Sequence, residues 1–264
     1  MKKFLAFLVF CLAFSIQASI PTMTALGQGA NGSYYLSDAR NMFYNPTNMF
    51  GDYLNMESEG QAVWVSKDMG LALGNSFLGK EVVQGFYSIN DMFAVSPYLN
   101  MVNGEGVTVW GANLGMAYED MLRVAAGGTV VNDKFLPSAN AQLKGMGAIL
   151  YADYTKLASK YSMLVGLGMD NRNYFSSVEF GKVASDRDLK LTLGGTFAVS
   201  DTLKLLGSVK QFLFFDTFTV LGLGASWNVA KDLALDMSTD FKAFGLNSPK
   251  YGDFGPKLAL TYNL

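Results

Sequence analysis

From residue 55 onward the chain alternates. In 232–242, Leu233, Leu235, Met237 and Phe241 share one parity, and Asp236, Ser238, Asp240 and Lys242 share the other. In 217–229, Leu221, Leu223, Ala225, Trp227 and Val229 oppose Gly222, Gly224, Ser226 and Asn228. The same rule sets Leu189, Leu191, Leu193, Phe197 and Val199 against Lys190, Thr192, Gly194 and Thr196, and Trp110, Leu114, Met116 and Tyr118 against Gly111, Asn113 and Gly115. A period of two is strand geometry, because successive side chains point to opposite faces. Short polar links such as Ser66-Lys67-Asp68, Glu119-Asp120, Ser200-Asp201 and Lys231-Asp232 separate the runs. Links this short join antiparallel neighbours, since parallel pairs need long crossovers.

The pattern predicts strands at 55–65, 69–79, 82–89, 92–101, 105–118, 121–132, 141–155, 160–169, 173–183, 188–198, 203–212, 217–229, 232–242 and 254–264, about fourteen in all, with twelve as the alternative. These segments match the ~9–11 tilted residues that a strand needs to cross hydrocarbon. One face is Leu, Val, Met, Phe and Trp. The other is Gly, Ser, Thr and Ala with charges of both signs. A soluble sandwich buries its apolar face; a membrane barrel turns that face to lipid and closes so that every backbone group is paired. The expected fold is therefore all-β, an antiparallel transmembrane β-barrel over 55–264. Its expected lumen charges are Glu57, Glu59, Arg123, Glu179, Lys190, Lys204, Lys210, Asp236, Asp240 and Lys242, forming a salt-bridge network. Trp64, Trp227, Tyr118, Tyr154 and Tyr262 fall near strand ends, where aromatic girdles sit. In the last strand Leu258, Leu260, Tyr262 and Leu264 alternate to the final residue, as in strands read by the outer-membrane assembly machinery, although those usually end in an aromatic residue.

The first eighteen residues depart from this texture. Lys2 and Lys3 precede an apolar run from Phe4 to Phe14, and Ala18 offers a small residue for cleavage. Residues 1–18 are expected to be a secretory signal peptide. Cleavage there removes two of the 20 basic residues and none of the 22 acidic ones, leaving a net charge of −4. With no basic run, nucleic acid is not an expected partner. There is no histidine, and the single cysteine, Cys11, lies in the leader. This excludes His-based nucleophilic catalysis and His-ligated metal sites, and leaves the remainder no thiol chemistry. No enzyme activity, catalytic residue, metal or cofactor is expected.

Residues 19–54 alternate weakly and contain the stretch LSDARNMFYNPTNM at 36–49. Asp38, Ala39 and Arg40 lead to Phe43-Tyr44-Asn45-Pro46 and Met49. This resembles the N-terminal motif of the FadL-like long-chain fatty-acid transporter superfamily and its secretion-associated relatives, with Thr47-Asn48 in place of the usual Ala-Gly. The resemblance implies a fourteen-stranded barrel with residues 19–54 folded into the lumen as a plug or hatch. It marks Asp38, Arg40, Phe43, Tyr44, Asn45, Pro46 and Met49 as plug or ligand contacts. Asn45-Pro46 favours a turn with an extended residue before the proline, which as a plain loop turn would simply lead into the first strand. Met42 and Met49, with Met163 and Met169, suit either a soft ligand surface or lipid and plug packing.

Three functions fit. One is passive uptake or binding of small hydrophobic molecules beside the plug, near Tyr34, Tyr35, Phe43, Tyr44 and Phe50. The second is a non-conducting scaffold barrel that binds lipid or forms a homo-oligomer, with Phe212, Phe214 and Phe215 as packing faces. The third is a general diffusion pore. Membrane lipids are the expected surroundings, in the bacterial outer membrane.

Overall fold

A computed structural model describes residues 19–26, 28, 33–36, 39–49, 51–58, 60–77, 80–100, 109–156, 160–171, 173–183, 186–213, 218–245 and 256–264. The expected leader at 1–18 lies outside them. Sixteen antiparallel strands close into one barrel: β1 Tyr53–Glu57, β2 Ala62–Ser66, β3 Met69–Phe77, β4 Lys80–Ser88, β5 Phe93–Asn100, β6 Val109–Tyr118, β7 Leu122–Val131, β8 Lys134–Gly145, β9 Ala148–Lys156, β10 Tyr161–Asn171, β11 Tyr174–Val183, β12 Asp186–Ala198, β13 Leu203–Phe212, β14 Phe218–Ala230, β15 Leu233–Gly245 and β16 Lys257–Asn263. Closure is made by β1 on β16, with Tyr53 opposite Asn263 and Glu57 opposite Ala259. The Leu264 amide adds a 3.0 Å bond to the Asp52 carbonyl.

The strand number corrects the expected fourteen. The run 55–65 is a hairpin, β1 and β2, turned at Gly60 with φ +84. The run 141–155 spans two strands, β8 and β9, joined through Met146 (φ 53) and Gly147 (φ 76). Two consecutive positive φ values are the signature of the tight hairpin turn that matches strand twist. Asn132 and Asp133 (φ 46 and 64) make the same turn between β7 and β8. Barrel residues also begin earlier than expected, at Tyr53.

The two faces follow the alternation. Leu71, Leu99, Trp110, Leu114, Leu193, Phe197 and Leu223 are exposed on the outside. Asn55, Gln84, Ser96, Thr129, Gln142, Ser177, Thr192, Ser208 and Asp236 are buried on the inward face. An outward apolar band with a polar interior is the arrangement lipid demands. Tyr118, Trp227 and Tyr262 are exposed at the end where β1 begins and β16 finishes, joined by Tyr87 and Tyr174. They form the aromatic girdle of that end. Trp64 and Tyr154 are only partly exposed. Links between strands at this end run to at most four residues, whereas the opposite end has links of eight residues between β5 and β6 and eleven between β15 and β16, which marks this end as periplasmic under the rule that outer-membrane barrels keep short turns there.

One part of the interior is not small or polar. On β1 to β4, Tyr53, Val63, Val65, Ala72 and Phe86 point inward and are buried together. The sequence Ala62-Val63-Trp64-Val65 is apolar on both faces, so something other than water must meet its inner one.

An arginine at Leu114, an outward position in the middle of β6, should cost about 2–4 kcal/mol. Urea unfolding from liposomes checks this, and the heat-modifiable gel shift should persist.

Candidate functional site

The partner of the inward apolar patch is the stretch before β1. A 3-10 turn at Ala39–Phe43 presents Ala39, Met42 and Phe43 to Tyr53, Val63, Val65, Ala72 and Phe86, and Met49 packs beside them. The Phe43 and Phe86 rings meet edge to face, 5.4 Å between centroids. Burying methionine and aromatic side chains fully is worth roughly 1.5–3 kcal/mol each.

Arg40 is anchored at the β1–β2 hairpin. Its guanidinium lies 3.6 Å from Glu57 and donates a 2.5 Å hydrogen bond to Gln61, and both ion-pair side chains are almost wholly buried. It also lies 4.9 Å from the centre of the Phe43 ring. A buried pair of this kind adds little net stability, but removing one partner strands the other charge.

Asn45 is extended (φ −140, ψ 115), as a residue before proline must be, and caps a second 3-10 turn at Pro46–Asn48. Its side-chain oxygen accepts from the Thr47 amide at 3.0 Å and the Thr47 hydroxyl at 2.8 Å. Asn140 on β8 donates to the Tyr44 carbonyl at 2.8 Å. Below Asn45 and Pro46 sits Gly115 of β6, where a β-carbon would overlap both. Asp38 and Phe50 lie outside the described residues.

Aromatic rings continue the packing. Tyr34 stacks between Tyr44 and Tyr151, at 4.2 and 5.2 Å. Its hydroxyl donates to Asp153 at 2.7 Å. Tyr35 packs against Tyr151 and Phe175, and its ring lies over Gly168, where any β-carbon would overlap it. Burial pushes the Tyr34, Tyr35 and Tyr44 phenols up, with the carboxylates of Asp153 and Glu179 adding to the rise for Tyr34 and Tyr44. Earlier still, the helix α1, Ile20–Ala25, lies against β13 to β16, and Ser208 donates to the Ala25 carbonyl at 2.7 Å.

The expected lumen charges divide. Glu179 accepts from the Tyr151 hydroxyl at 2.8 Å and stands opposite Lys190 in the register. Lys190 lies over the Phe212 ring at 5.7 Å and Lys242 over Phe218 at 3.9 Å; the two rings stack at 4.2 Å. These two lysines therefore meet aromatic faces where a carboxylate was expected. Phe212 thus belongs to this inward stack instead of an outer packing face; Phe214 and Phe215 lie outside the described residues. Lys204, Ser226 and Asp236 share one level across β13, β14 and β15, and Lys210 and Asp240 face Thr192 and Gly222. Arg123 pairs locally with Asp120 at 3.6 Å. Glu59 lies outside the described residues. Met163 and Met169 are exposed on the outer face.

Sequence reasoning missed Gln61, Asn140, Tyr151, Asp153 and Phe175 as partners. The available signal was their inward parity, together with glycines of that parity at 115 and 168. Between the N-terminal stretch and β7 to β10 lies a cavity of about 300 Å³, lined by Tyr34, Tyr35, Met49, Arg123, Gln142 and Ile149 among others.

No protein-family model and no curated protein matches the chain by sequence. Solved structures do match its fold. The toluene transporter TbuX of Ralstonia pickettii is 10% identical, covering 96% of this chain and all of its own, with a TM-score of 0.51. A mutant of the Rh. blastica porin is 12% identical over 80% of this chain and 89% of its own, with a TM-score of 0.52. The fold is that of the porin-like and FadL-like outer-membrane barrels, and with its lipid-facing exterior it places the protein in the bacterial outer membrane.

Arg40→Met should destabilise the stretch before β1 by about 3–5 kcal/mol, because it removes one charge of the buried Arg40–Glu57 pair. Gly168→Val should cost about 1–3 kcal/mol by overpacking against Tyr35. Hydrogen exchange over 33–49 checks both: exchange should quicken there while β11 to β14 stay protected.

Proposed function

We propose that residues 19–49 are a plug folded into the lumen, and that the protein is a plugged outer-membrane barrel for binding and passive passage of small hydrophobic molecules. The carrying observation is the cradle of inward glycines and aromatics. Gly115 and Gly168 leave room for Asn45-Pro46 and Tyr35, while Tyr151 and Phe175 supply the rings against which Tyr34 and Tyr35 pack. A water-filled pore gains nothing from these surfaces. A plug that buries them is stabilised by the hydrophobic effect and by stacking worth about 0.5–1.5 kcal/mol per pair beyond burial.

The hydrophobic cargo is read from the same surfaces. Tyr34, Tyr35, Phe43 and Tyr44 would face a molecule moving past the plug, and ligand sites combine such rings with a few placed polar groups. The toluene transporter shares the barrel fold, which accords with this cargo class. Nothing in the reading calls for an enzymatic step.

Conductance in planar bilayers tests it. The refolded chain should be silent at neutral pH, and deletion of 20–50 should open it. Stable open channels in the intact protein would leave a diffusion pore. A silent deletion variant, with no lipid or small molecule retained in native mass spectrometry, would leave the scaffold.

The plug also sets a pH dependence. A phenol whose value is raised on docking favours the docked state fully below the free value of about 10, and that contribution is lost as pH rises above it. Conductance should therefore stay low from pH 6 to 9 and rise reversibly above about pH 10.

A further inference from the structure

We propose that the cavity at the periplasmic end is a binding site for a small carboxylate with an apolar body. The site rests on the plug reading above, because the stretch before β1 forms its roof.

Its donors come from one strip of wall. Arg123 of β7 stands directly opposite Gln142 of β8, and Lys144 follows two residues on, with the same parity. All three line the cavity. Gln142 is more than nine-tenths buried, yet its amide nitrogen has no hydrogen-bond partner among the described residues, and neither has the Arg123 Nε. Asp120 lies 3.6 Å from a different nitrogen of Arg123, one Nη. Buried donors are normally satisfied, and one left without an acceptor is destabilising.

Two neighbouring donors, one of them charged, with a second cation at the rim, define an acceptor of negative charge. The Nε edge of a guanidinium suits the planar oxygens of a carboxylate. Asp170 also lines the cavity, so the wall carries two cations against one acid. Tyr35, Leu36 and Ile149 also line the cavity and offer an apolar surface for the rest of the ligand. The volume of about 300 Å³ limits that body to one ring or a short chain.

Calorimetric titration of the refolded full chain with benzoate, and with benzyl alcohol as its neutral counterpart, tests the assignment. Benzoate should bind saturably and at least tenfold more tightly than benzyl alcohol. Arg123→Met and Gln142→Leu should each weaken benzoate at least fivefold and leave benzyl alcohol unchanged. Lys144→Gln, at an exposed rim position, should weaken benzoate two- to threefold and serves where an interior variant fails to fold, which the heat-modifiable shift reports. Equal binding of the two probes, no saturable benzoate binding, or benzoate affinity indifferent to the folded variants would overturn the proposal. Conductance separates this from the plug: a silent barrel that ignores benzoate overturns the carboxylate site alone, whereas an open intact barrel removes the roof and overturns both.

Discussion

Everything in this protein depends on one requirement: in hydrocarbon each backbone N–H and C=O must find a partner within the protein. The sheet meets it by closing, β1 against β16, and closure then divides every strand into a lipid face and an inner face. The outer face is apolar because its neighbours are lipid. The inner face is free of that demand, and its composition records what fills the barrel.

That inner face is graded around the circumference. On β1 to β4 it is apolar and meets Ala39, Met42 and Phe43. On β6 to β11 it sets glycines among polar and aromatic side chains, and Tyr35 and the Asn45-Pro46 turn lie against Gly168 and Gly115. On β12 to β15 it carries Lys190 and Lys242 over the stacked Phe212 and Phe218 rings. Cation–π contact is worth roughly 0.5–2 kcal/mol for each lysine, and among the described residues neither is within salt-bridge distance of a carboxylate.

Much of the architecture was legible in the sequence, because alternation, short links and the paired composition of the two faces are local signals. The two missed hairpins show where locality fails. At Gly60 the four-residue link keeps inward parity odd on both sides, Asn55 and Glu57 before it and Val63 and Val65 after, so the alternation runs through the turn unbroken. At Met146–Gly147 parity does change, from Gln142 and Lys144 to Ile149 and Tyr151, but Met146 is not a residue type that announces a turn. The motif around Arg40 and Asn45 was visible as chemistry. Its partners were not, since Glu57, Gln61, Asn140 and Gly115 become neighbours only when the barrel closes.

The most direct test of a filled barrel is a cross-link between Ala25 and the wall. The Ala25 β-carbon lies 2.6 Å from where a β-carbon on Gly224 would stand, so a small adjustment brings two cysteines to the ~3.8 Å spacing of a disulfide. With Cys11, the only native cysteine, replaced, the account predicts that Ala25→Cys with Gly224→Cys cross-links in the folded outer-membrane protein and that the bond resists a membrane-impermeant reductant. Free thiols at both positions, open to labelling from the aqueous phase in a barrel that still shows its heat-modifiable shift, would contradict it.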